Sequence, residues 1–152
     1  MVNPNRQKIE LWETLAEKIN AELVIVQKQF NEVHKKRQHM AAEGDRLRQM
    51  KLQYAEDLSR IQSREHDINS ATHIRNFMAH LDHTVASVDR EVTDLQTLES
   101  KIRRRLLELN KEQQKYSKLR DRAELQARRT SERAEQKNQD MMSILRYEVK
   151  AL

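Results

Sequence analysis

Residues 74–116 read IRNFMAHLDH TVASVDREVT DLQTLESKIR RRLLELNKEQ QKY, and their spacing decides the fold. Steps alternating four and three from Ile74 land on Met78, Leu81, Val85, Val88, Val92, Leu95, Glu99, Ile102, Leu106, Leu109, Gln113 and Tyr116. Eleven of these thirteen positions are apolar, the exceptions being Glu99 and Gln113. A four-three pattern held this long draws one apolar line along a helix and calls for a second helix to cover it.

The covering helix lies upstream. The same stepping gives Val26, Phe30, Val33, Arg37, Met40, Gly44, Leu47, Lys51, Tyr54, Leu58 and Ile61. Arg37, Gly44 and Lys51 interrupt this line, and Trp12, Leu15, Ile19 and Leu23 extend it as a looser stripe toward the N-terminus. Asn3-Pro4-Asn5 marks a helix start, because proline fits the first helical turn. Between the two stripes, His66-Asp67-Ile68-Asn69-Ser70 gathers turn and cap residue types. The expected fold is therefore all-α: a long two-helix antiparallel coiled-coil hairpin spanning 1–152 as a single unit. Its helix 1 covers about 5–65, its turn about 66–70 and its helix 2 about 71–150, the short connection forcing the helices antiparallel. Helices of this length, on the order of 90–120 Å, are unstable alone in water and must pair. Past residue 120 the seam thins to Ala123, Ala127, Thr130 and Ala134, and apolar density returns at Met141, Met142, Ile144 and Leu145. The last ~20 residues read as a helical tail that frays until a partner docks.

Composition narrows the function classes. The chain has one Gly, one Pro, 35% charged residues and 4% aromatics, which suits a narrow helical seam and not a wide core. Without cysteines it has no disulfides or thiolate metal sites. No segment approaches the ~18–20 apolar residues that span a membrane, and the N-terminus lacks the apolar stretch of a signal peptide, so a cytoplasmic protein is expected. Net charge is +5, unevenly placed: residues 101–134 hold 12 basic and 5 acidic side chains, including Arg103, Arg104 and Arg105 in a row. A face of that kind suits an acidic partner surface, a nucleic acid, or simply solvent. Single-strand binders interleave aromatic and basic residues, whereas here only Tyr116 lies between Lys101 and Arg133.

No catalytic constellation emerges. One glycine cannot form a phosphate-binding loop, and the many carboxylates have no cleft to perturb them. His80 and His83 share a helix face, but a metal site needs a third ligand and an outer shell, so they read as solvent-facing residues beside the seam. The expectation is a non-enzymatic binding protein without cofactors or metals. Phe77 and Met50 fall beside the apolar lines and not on them; such flanking residues either form a docking patch or broaden the core.

Three stretches carry a family resemblance: Ile74-Arg75-Asn76-Phe77-Met78-Ala79-His80-Leu81-Asp82, Leu119-Arg120-Asp121-Arg122, and Glu135-Gln136-Lys137-Asn138-Gln139-Asp140. With the chain's size and its pI near 9.6, they resemble FliJ, the stalk protein of the flagellar type III export apparatus, and its injectisome counterparts of the YscO type. The resemblance implies an antiparallel coiled coil similar to the central stalk of rotary ATPases. It further implies a monomer seated in a hexameric export ATPase and binding the cytoplasmic region of the export gate protein. Such proteins also escort substrate chaperones and work in the cytoplasm, peripherally at the inner-membrane base of the apparatus. By matched spacing the gate-binding surface falls on Leu47, Met50, Tyr54, Phe77, Leu81, Thr84 and Val88, with Met50 standing where the family usually has an aromatic. The basic face toward the ATPase falls on Arg103, Arg104, Arg105, Arg120, Arg122 and Lys137. Gln139-Asp140-Met141 stands where the family often has an acidic pair. The alternative outside this family is a basic coiled-coil scaffold or nucleic-acid-binding protein unrelated to export.

Overall fold

A computed structural model describes residues 3–62 and 68–151. Two helices account for them, α1 (Pro4–Gln62) and α2 (Ile68–Ala151), and no strand occurs among the described residues. The two helices pack against each other as an all-α hairpin.

Helix α1 starts where its capping chemistry begins. The Asn3 side-chain oxygen accepts from the Asn5 backbone N–H at 3.0 Å, and Pro4 fills the first helical position, whose missing N–H needs no partner. The turn expected over about 66–70 overlaps residues 63–67, which lie outside those described. Ile68, Asn69 and Ser70 form the opening turn of α2 and not part of the connection. The reason lies in their chemistry: Asn and Ser favour both turns and helix starts, so the same letters signal either.

The chain divides into two compact units, Met1–Ile25 with Leu106–Leu152, and Val26–Arg105. In the second, Leu47, Leu81 and Val88 form a buried cluster, with Met40, Met50, Tyr54, Val85 and Val92 packed against it. All of them except Met50 lie on the four-three lines. Facing pairs run in opposite directions along the two helices: Arg37 meets Glu99, Gly44 approaches Val88, Lys51 pairs with Asp82, and Tyr54 meets Phe77. In the first unit Leu109 is fully buried, alongside the small buried residues Ala16 and Ala123. Trp12 stacks on Tyr116 there, with centroids 6.0 Å apart and planes at 20°. Each fully buried Leu or Val side chain contributes about 1.5–3 kcal/mol, so a few such layers hold each unit together.

Residues 131–151 are helical and every one of them is exposed. Met141, Met142, Ile144, Leu145, Tyr147 and Val149 are the large apolar side chains of this segment. Met142, Leu145 and Val149 line a shallow apolar groove together with Arg146 and Lys150.

Candidate partner-docking site

The seven residues expected to meet a partner occupy one region of the Val26–Arg105 unit at different depths. Leu47, Leu81 and Val88 are the buried cluster itself. Met50 and Tyr54 are half-buried against it. Thr84 is also half-buried, and its hydroxyl donates to the His80 carbonyl at 3.0 Å, a common use of a helical threonine. Phe77 is 37% exposed and meets the Tyr54 ring edge-on at 4.8 Å between centroids. This arrangement belongs to the attractive class of aromatic pairs. Of the two residues beside the apolar lines, Met50 thus thickens the core, while Phe77 stands at its margin, partly exposed.

The geometry follows from the helical period. Tyr54 is on the α1 line, three and seven residues from Lys51 and Leu47. Phe77 sits one residue before the line residue Met78 on α2, and its ring meets Tyr54 edge-on. The resulting patch has an aromatic pair on top and three aliphatic side chains beneath. It offers mainly apolar contact. Flanking it is a charged pair in contact, Lys51 with Asp82.

A second cluster in this unit holds the buried carboxylate. Glu99 is 6% exposed, although it occupies a line position where leucine or valine would ordinarily sit. Arg37 reaches it from the facing helix through Nε, and His34 Nδ1 lies 3.0 Å from Glu99 Oε1. Because an ionised carboxylate only accepts, Nδ1 carries the proton of that bond. Arg103, one turn on, lies 3.7 Å from the same carboxylate and 5.6 Å above the Phe30 ring. The His34 hydrogen bond, joined by Arg37, holds the Glu99 carboxyl below its ordinary range against the burial that pushes it up. No buried side-chain nitrogen or oxygen lacks a partner among the described residues.

The basic side chains expected on the ATPase face are divided between the units. Arg103, Arg104 and Arg105 end the Val26–Arg105 unit and are exposed. Arg120, Arg122 and Lys137 belong to the other unit, where Arg120 is half-buried and contacts Asp121 at 3.2 Å. Arg122 continues a cationic stripe with Lys111, Lys115 and Lys118, spaced to share one side of α2. Lys111, Lys115 and Lys118 belong to the basic stretch 101–134, and the i, i+4, i+7, i+11 spacing that ends on Arg122 is the sequence signal that puts them on one side. Tyr116, the sole aromatic of the basic stretch, is half-buried against Trp12 and offers no free ring for stacking on a base.

His80 and His83 are both exposed, and no group of three His, Asp or Glu side chains converges as metal ligands among the described residues. No helix among the described residues is long and apolar enough to cross a membrane.

An antiparallel helical hairpin with a charged interior pair and an aromatic rim defines a coiled-coil protein whose features are surfaces. A family model described as "Flagellar FliJ protein" matches residues 13–151, nearly the whole chain. The chain belongs to the FliJ family and is a protein of flagellar type III export. Neither a curated protein nor a solved structure matches it.

Proposed function

We propose that this chain is a non-enzymatic coupling protein of the flagellar export apparatus, joining a hexameric export ATPase to the cytoplasmic region of the export gate. Hydrolysis belongs to the ATPase ring; this chain supplies contact surfaces and works in the cytoplasm at the inner-membrane base of the apparatus. The observation that supports the gate half is the rim of the Val26–Arg105 unit, where Phe77 is partly exposed beside Tyr54. Large aromatics at the centre of a patch are the residues that dominate binding energy. In this reading Phe77, Tyr54, Met50 and Thr84 touch the gate, and Leu47, Leu81 and Val88 form the floor that fixes their positions. The ATPase half rests on charge: the cations of α2, from Arg103 through Arg122 to Lys137, favour an acidic or polar surface on the ring. Chaperone escort is the third role, and it draws on the family alone.

Two measurements test this. Added to its cognate export ATPase, the protein raises hydrolysis rate or hexamer yield; no change in either sinks the ATPase half. Phe77→Ala weakens gate binding at least tenfold, which corresponds to about 1.4 kcal/mol, while circular dichroism keeps the helical signal of the parent. Unchanged affinity for the gate sinks the docking assignment, and a loss of helicity makes Phe77 a core residue.

A further inference from the structure

The interruptions of the α1 line fall at Arg37, Gly44 and Lys51, seven residues apart, and α2 answers each of them. Arg37 meets the buried Glu99. Gly44 sits where the Val88 side chain comes closest, with space for an added Cβ only 3.4 Å from Val88 Cγ1. Lys51 meets Asp82. Helices paired on a uniform apolar line have little to distinguish one alignment from another a heptad away, since each leucine finds another leucine. A polar residue inside such a line specifies alignment because it tolerates only the neighbour that completes it.

We infer that the Arg37–Glu99 pair, supported by His34, is the device that fixes the sliding register of the hairpin, with the Lys51–Asp82 pair as a secondary mark. Sliding α2 by one heptad carries Glu99 to the level of Phe30 or of Gly44. Neither is itself a donor, so the carboxylate keeps only the Arg103 contact of its own helix and loses both cross-helix partners, Arg37 and His34, while Arg37 loses Glu99. The exposed pairs impose no comparable restriction, since water can replace either member. The position of Arg103 strengthens the assignment: it stacks over Phe30 while approaching Glu99, so the aromatic and charged layers hold each other in place. The consequence reaches the docking patch, because Phe77 and Tyr54 share a level only in the observed register.

The absence of native cysteines makes the test direct. Lys35→Cys and Arg75→Cys, both at exposed positions, take spin labels far from level with each other. Sliding by one heptad then changes the separation by about 10 Å, at 1.5 Å of rise per residue. Pulsed electron paramagnetic resonance on the otherwise unaltered full chain gives one distance population. The double variant Arg37→Leu with Glu99→Leu keeps the hairpin apolar and gives a second population displaced by about that amount. The exchanged variant, Arg37→Glu with Glu99→Arg, restores a single population at the parental distance, because the pair is complementary again. One undisplaced population in the leucine variant overturns the inference. Should that variant lose helicity, the exchanged variant decides: a single parental population supports the lock, and two populations refute it.

Discussion

Replacing Gly44 with alanine separates two reasons for a glycine in the middle of α1. If it is there because the facing helix comes too close for a side chain, alanine destabilises the hairpin. If the space is sufficient, alanine stabilises it. The geometry favours the second. Gly44 has no positive φ, so alanine takes the backbone without strain. Its new Cβ meets Val88 Cγ1 at 3.4 Å, Arg48 Nη1 at 3.4 Å and Asp89 Oδ1 at 3.7 Å. These separations lie at the close edge of ordinary van der Waals contact, and the tightest polar neighbour is the far end of the Arg48 side chain, which pairs with Asp45 and Asp89. A helix-interior glycine costs about 1 kcal/mol relative to alanine, chiefly through the greater freedom of the unfolded chain. Burying one methyl adds up to about 0.8 kcal/mol, from which the slight displacement of Val88 subtracts. The net expectation is a gain of roughly 1 kcal/mol. Urea unfolding followed by circular dichroism reads this as a midpoint higher by about 0.3–1 M at unchanged slope, given slopes of about 1–3 kcal/mol/M. A lower midpoint at the same slope refutes the reasoning and makes close approach the reason for Gly44.

Leu109→Ala empties the one side chain that is completely enclosed among the described residues, and the expected loss is about 2–5 kcal/mol by the same unfolding measurement; a loss under 1 kcal/mol means that the layer collapses onto the gap. Acid weakens the hairpin through Glu99. Its folded carboxyl titrates below the ordinary value, so its contribution is intact at neutral pH, begins to fall near the unfolded carboxylate range and is lost once the pH passes below its folded pKa. Glu99→Gln therefore flattens the acid limb of a stability-against-pH profile, and identical acid limbs in parent and variant count against this role.

How much of this was readable from letters alone depends on which physical signal was in play. Every position of the four-three lines from Val26 to Ile61 and from Ile74 to Tyr116 is buried or half-buried, since a strict period leaves one answer about which side is inward. The interruptions were visible as letters, but their pairing was not. Matching Arg37 with Glu99, or Lys51 with Asp82, requires the alignment of the helices, which the four-three lines alone leave undecided. The same limit governed Phe77 and Met50. Both stand beside the lines, and a helical wheel assigns them similar angles. What separates them is depth: Met50 bends its flexible chain onto Leu47, Leu81 and Val88, whereas the rigid Phe77 ring stops at Tyr54. Arg120 shows the converse, since its contact with Asp121 on its own helix was readable from adjacency. The start of α2 at Ile68 was ambiguous because Asn69 and Ser70 serve caps and turns alike.

The stacking of Trp12 on Tyr116 has a practical consequence. Trp12 is the sole tryptophan of the chain, and it belongs to the unit that also contains Leu109. Its fluorescence therefore reports on the surroundings of that unit alone, while amide circular dichroism averages over both. Midpoints that coincide by the two signals identify a hairpin that unzips as one cooperative body, and midpoints that part identify two segments that melt in succession.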